Sequence, residues 1–159
     1  MQIDYLVMDV DGTLTDGKIY MGLSGETIKA FNVKDGYGIS VILNDIRIIP
    51  VILTSRKSQI VVKRCEELKI SKVFQGCNNK LEKLREIMNN DFSRIAYIGD
   101  DITDVECMIA IKRAGGIVGC PSDAVNEVRQ IADYVSDKAG GEGAVRSFID
   151  WIVDYASGN

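Results

Sequence analysis

The sequence predicts an α/β fold: a doubly wound, mostly parallel sheet with helices on both faces. Short apolar runs alternate with segments of helical apolar spacing along the whole chain, the pattern that crossover connections impose on a parallel sheet. The 159 residues suit one domain spanning 1–159. Polar, chemistry-bearing residues also stand just after the apolar runs, where an open α/β sheet gathers its ligands.

Taken in order, Ile3-Asp4-Tyr5-Leu6-Val7 is an apolar strand that ends in the acidic loop Met8-Asp9-Val10-Asp11-Gly12-Thr13-Leu14-Thr15. Gly17–Met21 and Thr27–Val33 are β-like runs around Gly22-Leu23-Ser24-Gly25 and read as a hairpin. Asp35 then precedes a helix to about Asn44, and Ile46–Leu53 is a buried strand ending at Thr54-Ser55-Arg56, with Pro50 blurring its start. Ser58–Leu68 is helical, Lys72-Val73-Phe74 a short strand, and Leu81, Leu84, Ile87 and Met88 set an apolar helical stripe behind Lys80. Arg94–Ile98 is a strand running into Gly99-Asp100-Asp101, with a helix following to about Arg113. Gly116-Ile117-Val118 is another strand, Ser122 is placed to N-cap a helix to about Ile131, and Tyr134-Val135 adds an edge strand. Val145, Phe148, Ile149, Ile152, Val153 and Ala156 keep helical spacing in a closing helix.

Composition narrows the function classes. A hydrophobic content of 46% with 26% charged residues is that of an ordinary globular protein. No run approaches the roughly 18 apolar residues that span a bilayer, and the first residues lack a signal-peptide layout, so a cytoplasmic protein is expected. A net charge of -4 argues against a general nucleic-acid or anionic-membrane surface. Cys65, Cys77, Cys107 and Cys120 form no C-x-x-C pair and read as reduced, packed thiols. With no histidine, Ser-His-Asp and Cys-His systems and His-ligated metals are excluded. Acid and base work falls to carboxylates, lysines or tyrosines.

The candidate groups are Asp9 and Asp11, Thr54, Lys80, and Asp100, Asp101 and Asp104, each at a strand end or helix start. Three or more carboxylates gathered on one sheet edge repel unless a cation neutralises them, and all-oxygen surroundings suit Mg²⁺. Lys80 and Thr54 would add a charge and a hydroxyl for holding phosphoryl oxygens.

This set resembles the haloacid dehalogenase superfamily of aspartate-nucleophile phosphatases. The resemblance rests on Asp9-Val10-Asp11-Gly12-Thr13, Leu53-Thr54-Ser55, Lys80 and Gly99-Asp100-Asp101-Ile102-Thr103-Asp104. It implies a Rossmann-like sheet in which Asp9 is the nucleophile and Asp11 the general acid and base. Mg²⁺ would be held by the Asp9 side chain, the Asp11 main-chain carbonyl and Asp100. Thr54 and Lys80 would hold the phosphoryl group, with Asp101 and Asp104 as supporting groups.

Only 45 positions separate Asp9 from Thr54 and 26 separate Thr54 from Lys80, which leaves no room for a substrate-covering cap domain. This capless pattern is similar to the 3-deoxy-D-manno-octulosonate 8-phosphate (KDO 8-phosphate) phosphatases and the nonulosonate 9-phosphate phosphatases. The matching runs are Asp11–Gly17, Phe31–Gly38, Gln75–Lys80 and Ala139–Arg146. The likeness implies a phosphorylated sugar acid as substrate and a homotetramer in which the 17–33 hairpin and the C-terminal region help close a neighbour's site. Arg56 is the octulosonate type's residue and, with Ser55, is placed to meet the substrate; Lys34, Arg146 and Tyr37 are further contacts by position. Thr13 and Ser55 depart from the usual Val and Gly of that type, so nonulosonate chemistry stays open. So do a non-catalytic module, such as the domain attached to cytidylyltransferases, and a receiver-like Mg²⁺ domain.

Overall fold

The structure, a computed structural model, describes residues 2–157; residues 1, 158 and 159 of the expected 1–159 domain lie outside the described residues. In chain order the elements are β1 (Tyr5–Met8), β2 (Tyr20–Gly22), β3 (Gly25–Ile28), α1 (Val33–Tyr37), a π-helical turn at Gly38–Ile42, α2 (Leu43–Asp45), β4 (Ile49–Leu53) and α3 (Gln59–Glu67). They continue as β5 (Lys72–Phe74), α4 (Lys80–Met88), β6 (Ile95–Ile98), α5 (Ile102–Ala114), β7 (Ile117–Cys120), α6 (Asn126–Ile131), β8 (Tyr134–Val135) and α7 (Ala144–Ser157). Six parallel strands form one sheet in the order β5-β4-β1-β6-β7-β8, and β2 and β3 form a separate antiparallel hairpin.

The register follows from which strands are buried on both faces. Met8 stands opposite Ile52 on one side and Ile98 on the other, so β1 is the sheet's middle and its whole run is apolar. Leu6 and Met8 face a core with Ile39, Leu43, Val61, Phe148 and Ile152, whereas Val7 faces Leu84, Met88, Met108, Ile111 and Val128. The period of two thus sends α1, α2, α3 and α7 to one face and α4, α5 and α6 to the other. This is the expected doubly wound α/β sheet. None of the described helices is long and apolar enough to cross a membrane.

Four element boundaries differ from the sequence expectation. The first helix is capped by Asn32, whose side chain accepts from the Lys34 amide at 2.8 Å; Asp35 lies inside the first turn and accepts from the Arg146 amide at 2.8 Å. The expected strand at 46–53 starts only at Ile49, because Arg47 takes a left-handed turn conformation (φ 60°) and Ile49 is the residue that donates to Asp4. Pro50 is tolerated because successive amides alternate sides: Ile49 points at β1, so Pro50 faces the β5 side, where pairing begins only at Val51. Ser122 caps nothing; its amide donates to the Lys138 carbonyl, and α6 begins four residues later, at Asn126. The hairpin is paired only at 20–22 and 25–28, shorter than its β-like runs.

Phe148 is fully buried on α7 and packs in a triangle of rings with Tyr134 and Trp151, its centroid 5.8 Å from each and theirs 5.2 Å apart. Phe148→Ala is expected to lower unfolding stability by about 3–5 kcal/mol, measured by denaturant titration, because the wall it leaves is a rigid sheet that cannot collapse. A loss below about 1 kcal/mol would mean that α7 is not a core element.

Candidate active site

The chain steps outward through β4 and β5 on one side of β1 and through β6, β7 and β8 on the other, so the carboxyl ends of β1 and β6 form a topological switch point. Asp9 leaves β1 there, and its amide donates to the Ile98 carbonyl at 3.1 Å. Gly99-Asp100-Asp101 leaves β6 beside it. Lys80 arrives from the first turn of α4, which Asn79 caps by accepting from the Glu82 amide at 3.0 Å.

These elements converge on a buried ion network. Lys80 Nζ donates to Asp9 Oδ1 and to Asp104 Oδ1, each at 2.8 Å. Asp104 is fully buried, and its Oδ1 also accepts from the Tyr97 hydroxyl at 2.6 Å. Its Oδ2 accepts from the amides of Asp100 and Asp101 at 3.0 and 3.2 Å. Burial works against the Lys80 charge, but Asp9 and Asp104 outweigh it and hold the ammonium above the ordinary lysine range. Burial, with Asp104 nearby, pushes the Asp9 carboxyl up to about 6 despite Lys80. Burial together with Asp9 and Asp104 pushes Asp100 up to about 8.

Asp100 is seated by the Asp9–Thr15 loop. Thr13 Oγ1 donates to Asp100 Oδ1 at 3.0 Å, and the amides of Thr13, Leu14 and Thr15 all turn back to the Val10 carbonyl. Gly12 has φ +94°, and a Cβ there would lie 2.0 Å from Asp100 Oδ2, so this position excludes any side chain. Gly140 packs on the outside of the same loop: a Cβ on it would meet the Gly12 carbonyl at 1.9 Å, and the Gly141 amide donates to the Thr13 carbonyl. The Ala139–Arg146 run therefore braces the Asp9–Thr15 loop of its own chain.

Asp11 points the other way. Its carboxylate pairs with Lys29, whose side chain is only 1% exposed and whose Nζ also meets Glu26 Oε1 at 2.7 Å. Ser58 Oγ donates to Glu26 Oε2 at 2.9 Å, and Arg56 Nη2 lies 4.0 Å from Glu26 Oε1. Burial disfavours both charges, yet the pairing holds Lys29 above and Glu26 below their ordinary ranges. Sequence reasoning missed Lys29, Glu26 and Tyr97. Lys29 and Glu26 sat in a hairpin strand with no chemical motif, and Tyr97 looked like core.

The remaining expected residues divide. Thr54 is buried and follows β4 directly, with its amide on the Phe74 carbonyl and its carbonyl accepting from Cys77. Ser55 is half-buried beside it and Arg56 is exposed. Asp101 serves as the N-cap of α5, accepting from the Ile102 amide at 2.7 Å. Lys34 and Arg146 line a separate groove with Tyr134, Lys138, Glu142 and Trp151. Arg146 binds Asp150 and lies over the Tyr37 ring, and neither it nor Lys34 reaches the Asp9 cluster within this chain. The four cysteines are buried and free, and burial raises all four thiols, Cys107 to about 12.

A divalent cation fits the donor set. Carboxylate oxygens of Asp9, Asp100 and Asp104 lie within 4.8 Å of one another, and after burial, the larger cause, mutual repulsion helps raise Asp9 and Asp100. Both Asp104 oxygens are committed to Lys80, Tyr97 and two amides, so Asp9 and Asp100 are the carboxylates left for an ion. Hard oxygen donors at a partly hydrated edge suit Mg²⁺.

No protein-family model matches the chain. It is, however, 41% identical over 155 residues to the 3-deoxy-D-manno-octulosonate 8-phosphate phosphatase KdsC of Escherichia coli strain K12, covering 95% of this chain and 79% of that one. Among solved structures, the corresponding phosphatase of Moraxella catarrhalis, in complex with magnesium, phosphate and KDO, superposes with a TM-score of 0.85 at 35% identity, covering 98% of this chain and 90% of that one. The cobalt-bound deoxy-D-mannose-octulosonate 8-phosphate phosphatase of Haemophilus influenzae gives 0.87 at 34%, covering 99% and 90%.

The raised carboxyls fix the sign of a pH effect. Without metal, Asp9 and Asp100 hold protons more tightly folded than unfolded, so their stabilising contribution is complete below the ordinary aspartate value of 3.8 and is lost as pH rises through about 6 and about 8. Mg²⁺ competes with those protons, so its upward shift of the thermal midpoint should be larger at about pH 8.5 than at about pH 5. An equal shift at both, measured by calorimetry against a chelator control, would contradict this placement of the ion.

Proposed function

The chain belongs to the 3-deoxy-D-manno-octulosonate 8-phosphate phosphatase family of the haloacid dehalogenase superfamily, and from that premise we propose that it hydrolyses a phosphomonoester of a 3-deoxy-2-keto sugar acid, KDO 8-phosphate, through an aspartyl phosphate on Asp9. The observation that carries the chemistry is the Lys80 ammonium bridging Asp9 and Asp104 at the end of the central strand.

In this reading Asp9 Oδ attacks phosphorus in line, forming a new P–O bond as the P–O bond to the sugar breaks. Asp11 gives its proton to the departing alkoxide, then takes one from the water that attacks the aspartyl phosphate, releasing inorganic phosphate and restoring Asp9. Two of the three Lys80 N–H groups are committed to carboxylates, and the third would be free for a phosphoryl oxygen, with Thr54, at the end of β4, supplying a hydroxyl donor. A bound Mg²⁺, held by Asp9, Asp100 and the Asp11 main-chain carbonyl, would offset the charge shared by nucleophile and phosphate.

Ser55 and Arg56 follow Thr54 directly, Arg56 exposed and 4.0 Å from Glu26, and would suit the sugar acid's polar groups, Arg56 with a planar fork for its carboxylate. The hairpin exposes Met21, Leu23 and Ile28, with Leu23 fully uncovered, an apolar edge that suits a second copy of the chain in a homotetramer. Lys34 and Arg146 would then serve a neighbouring copy's site rather than their own. Buried, free thiols and an acidic surface suit a cytoplasmic enzyme with a small-molecule substrate and neither nucleic acid nor membrane as partner.

The assay is phosphate release from KDO 8-phosphate, a nonulosonate 9-phosphate and an aryl phosphate, with and without Mg²⁺. Release should require Mg²⁺ and favour KDO 8-phosphate, and Asp9→Asn should lower it by roughly a thousandfold or more. Preference for the nonulosonate ester would move the chain to the neighbouring subfamily, and an active Asp9→Asn would refute the nucleophile.

A further inference from the structure

The line Asp11–Lys29–Glu26–Ser58 joins three separate segments: the nucleophile loop, the hairpin and the start of α3. Lys29 is almost wholly enclosed although the hairpin around it is exposed, with Met21 at 66% and Ile28 at 56% exposure. An ammonium taken out of water in this way is stable only where carboxylates meet it, and here one lies on each side. Glu26 is in turn fixed by Ser58, which is itself anchored through its amide to the Gln75 side chain at 2.8 Å. The hairpin is therefore docked on its own chain's site by one continuous polar chain.

We propose that Lys29, held by Glu26, is a positioning residue that aims the Asp11 carboxyl at the leaving-group oxygen. The inference rests on the reading of Asp11 as general acid and base. Asp11 sits on a loop, half-exposed, where its side chain would otherwise choose among rotamers, and proton transfer requires hydrogen-bond geometry. Lys29 occupies Oδ1, which leaves Oδ2 to carry the proton toward the substrate. No covalent step involves Lys29; it fixes direction, and the hairpin's docking is thereby felt at the reacting centre.

Leaving-group dependence tests this. An alkyl phosphate such as a sugar phosphate needs its departing oxygen protonated, whereas p-nitrophenyl phosphate leaves as a stable phenolate. In the full-length enzyme with Mg²⁺, Lys29→Met should lower kcat/KM about a hundredfold for the sugar phosphate and less than about tenfold for p-nitrophenyl phosphate. The inhibition constant of inorganic phosphate should move less than about threefold, because phosphate binding does not use Asp11's proton. Glu26→Gln should shift the same ratio in the same direction, and Lys29→Arg should restore part of it. Equal losses on both esters, a weakened phosphate inhibition that accounts for the whole loss, or unchanged kinetics would each overturn the proposal. If Lys29→Met does not fold, the same criteria apply to Glu26→Gln. Asp11→Asn, run alongside, separates the two readings. If it lacks the leaving-group difference, the acid role of Asp11 fails; if it has the difference and Lys29→Met and Glu26→Gln do not, only the positioning role fails.

Discussion

The buried ammonium of Lys80, clamped between Asp9 and Asp104, is the interaction on which the rest of the site depends. Removing three charges from water is costly, and breaking such a pair by deleting one partner typically costs about 3–5 kcal/mol because the other charge is left buried alone. The fold meets that cost with geometry. Tyr97 and two amides at the start of α5 satisfy Asp104, the β1–β6 pairing fixes Asp9, and Asn79 fixes the turn that delivers Lys80. One lysine faces three carboxyl groups once Asp100 is counted, so the cluster has the donors to accept a cation.

That shortfall connects packing to chemistry. Gly12 and Gly140 are small because the Asp9–Thr15 loop is pressed between Asp100 and the segment leading into α7, and a methyl group at either would push the loop away from the acidic cluster. α7 in turn is held by Asp35 of α1 and by Phe148 against the sheet. Positioning of Asp9 and Asp100 is thus a property of the whole sheet. Asp11, by contrast, is reached by a separable element, the hairpin, through Lys29 and Glu26. A centre held by the sheet and a rim docked on it through ion pairs suit water exclusion around one phosphoryl group without a covering domain.

Much of this was legible in the sequence because strand ends in an α/β sheet are few and the reactive residue types stood at them. Asp9, Thr54, Asp100 and the α4 start at Lys80 each follow from an apolar run or a helical stripe, and the structure brings Asp9, Lys80, Asp100 and Asp104 together. What was not legible depends on distant partners. Asn32 and Asp35 are both good helix-capping residues, and what frees Asp35 from that role is the α7 amide at Arg146, 111 positions away. Lys29 and Glu26 are ordinary hairpin residues until the hairpin folds over the site. Tyr97 reads as core because its hydroxyl partner, Asp104, lies a helix turn past the strand end. Ser122 looked like a cap because its competing bond, to the Lys138 carbonyl, is invisible locally.

If Asp9, beside Lys80, is the nucleophile, its carboxylate carries the phosphoryl group between the two half-reactions. Rapid acid quenching of the Mg²⁺-loaded enzyme during turnover, followed by peptide mass mapping, tests it directly. The peptide holding Asp9 should gain the mass of one phosphoryl group, absent from Asp9→Asn and accumulating in Asp11→Asn, where hydrolysis of the intermediate is slowed. Turnover with no phosphorylated peptide in either wild type or Asp11→Asn, or label on a residue other than Asp9, would contradict it.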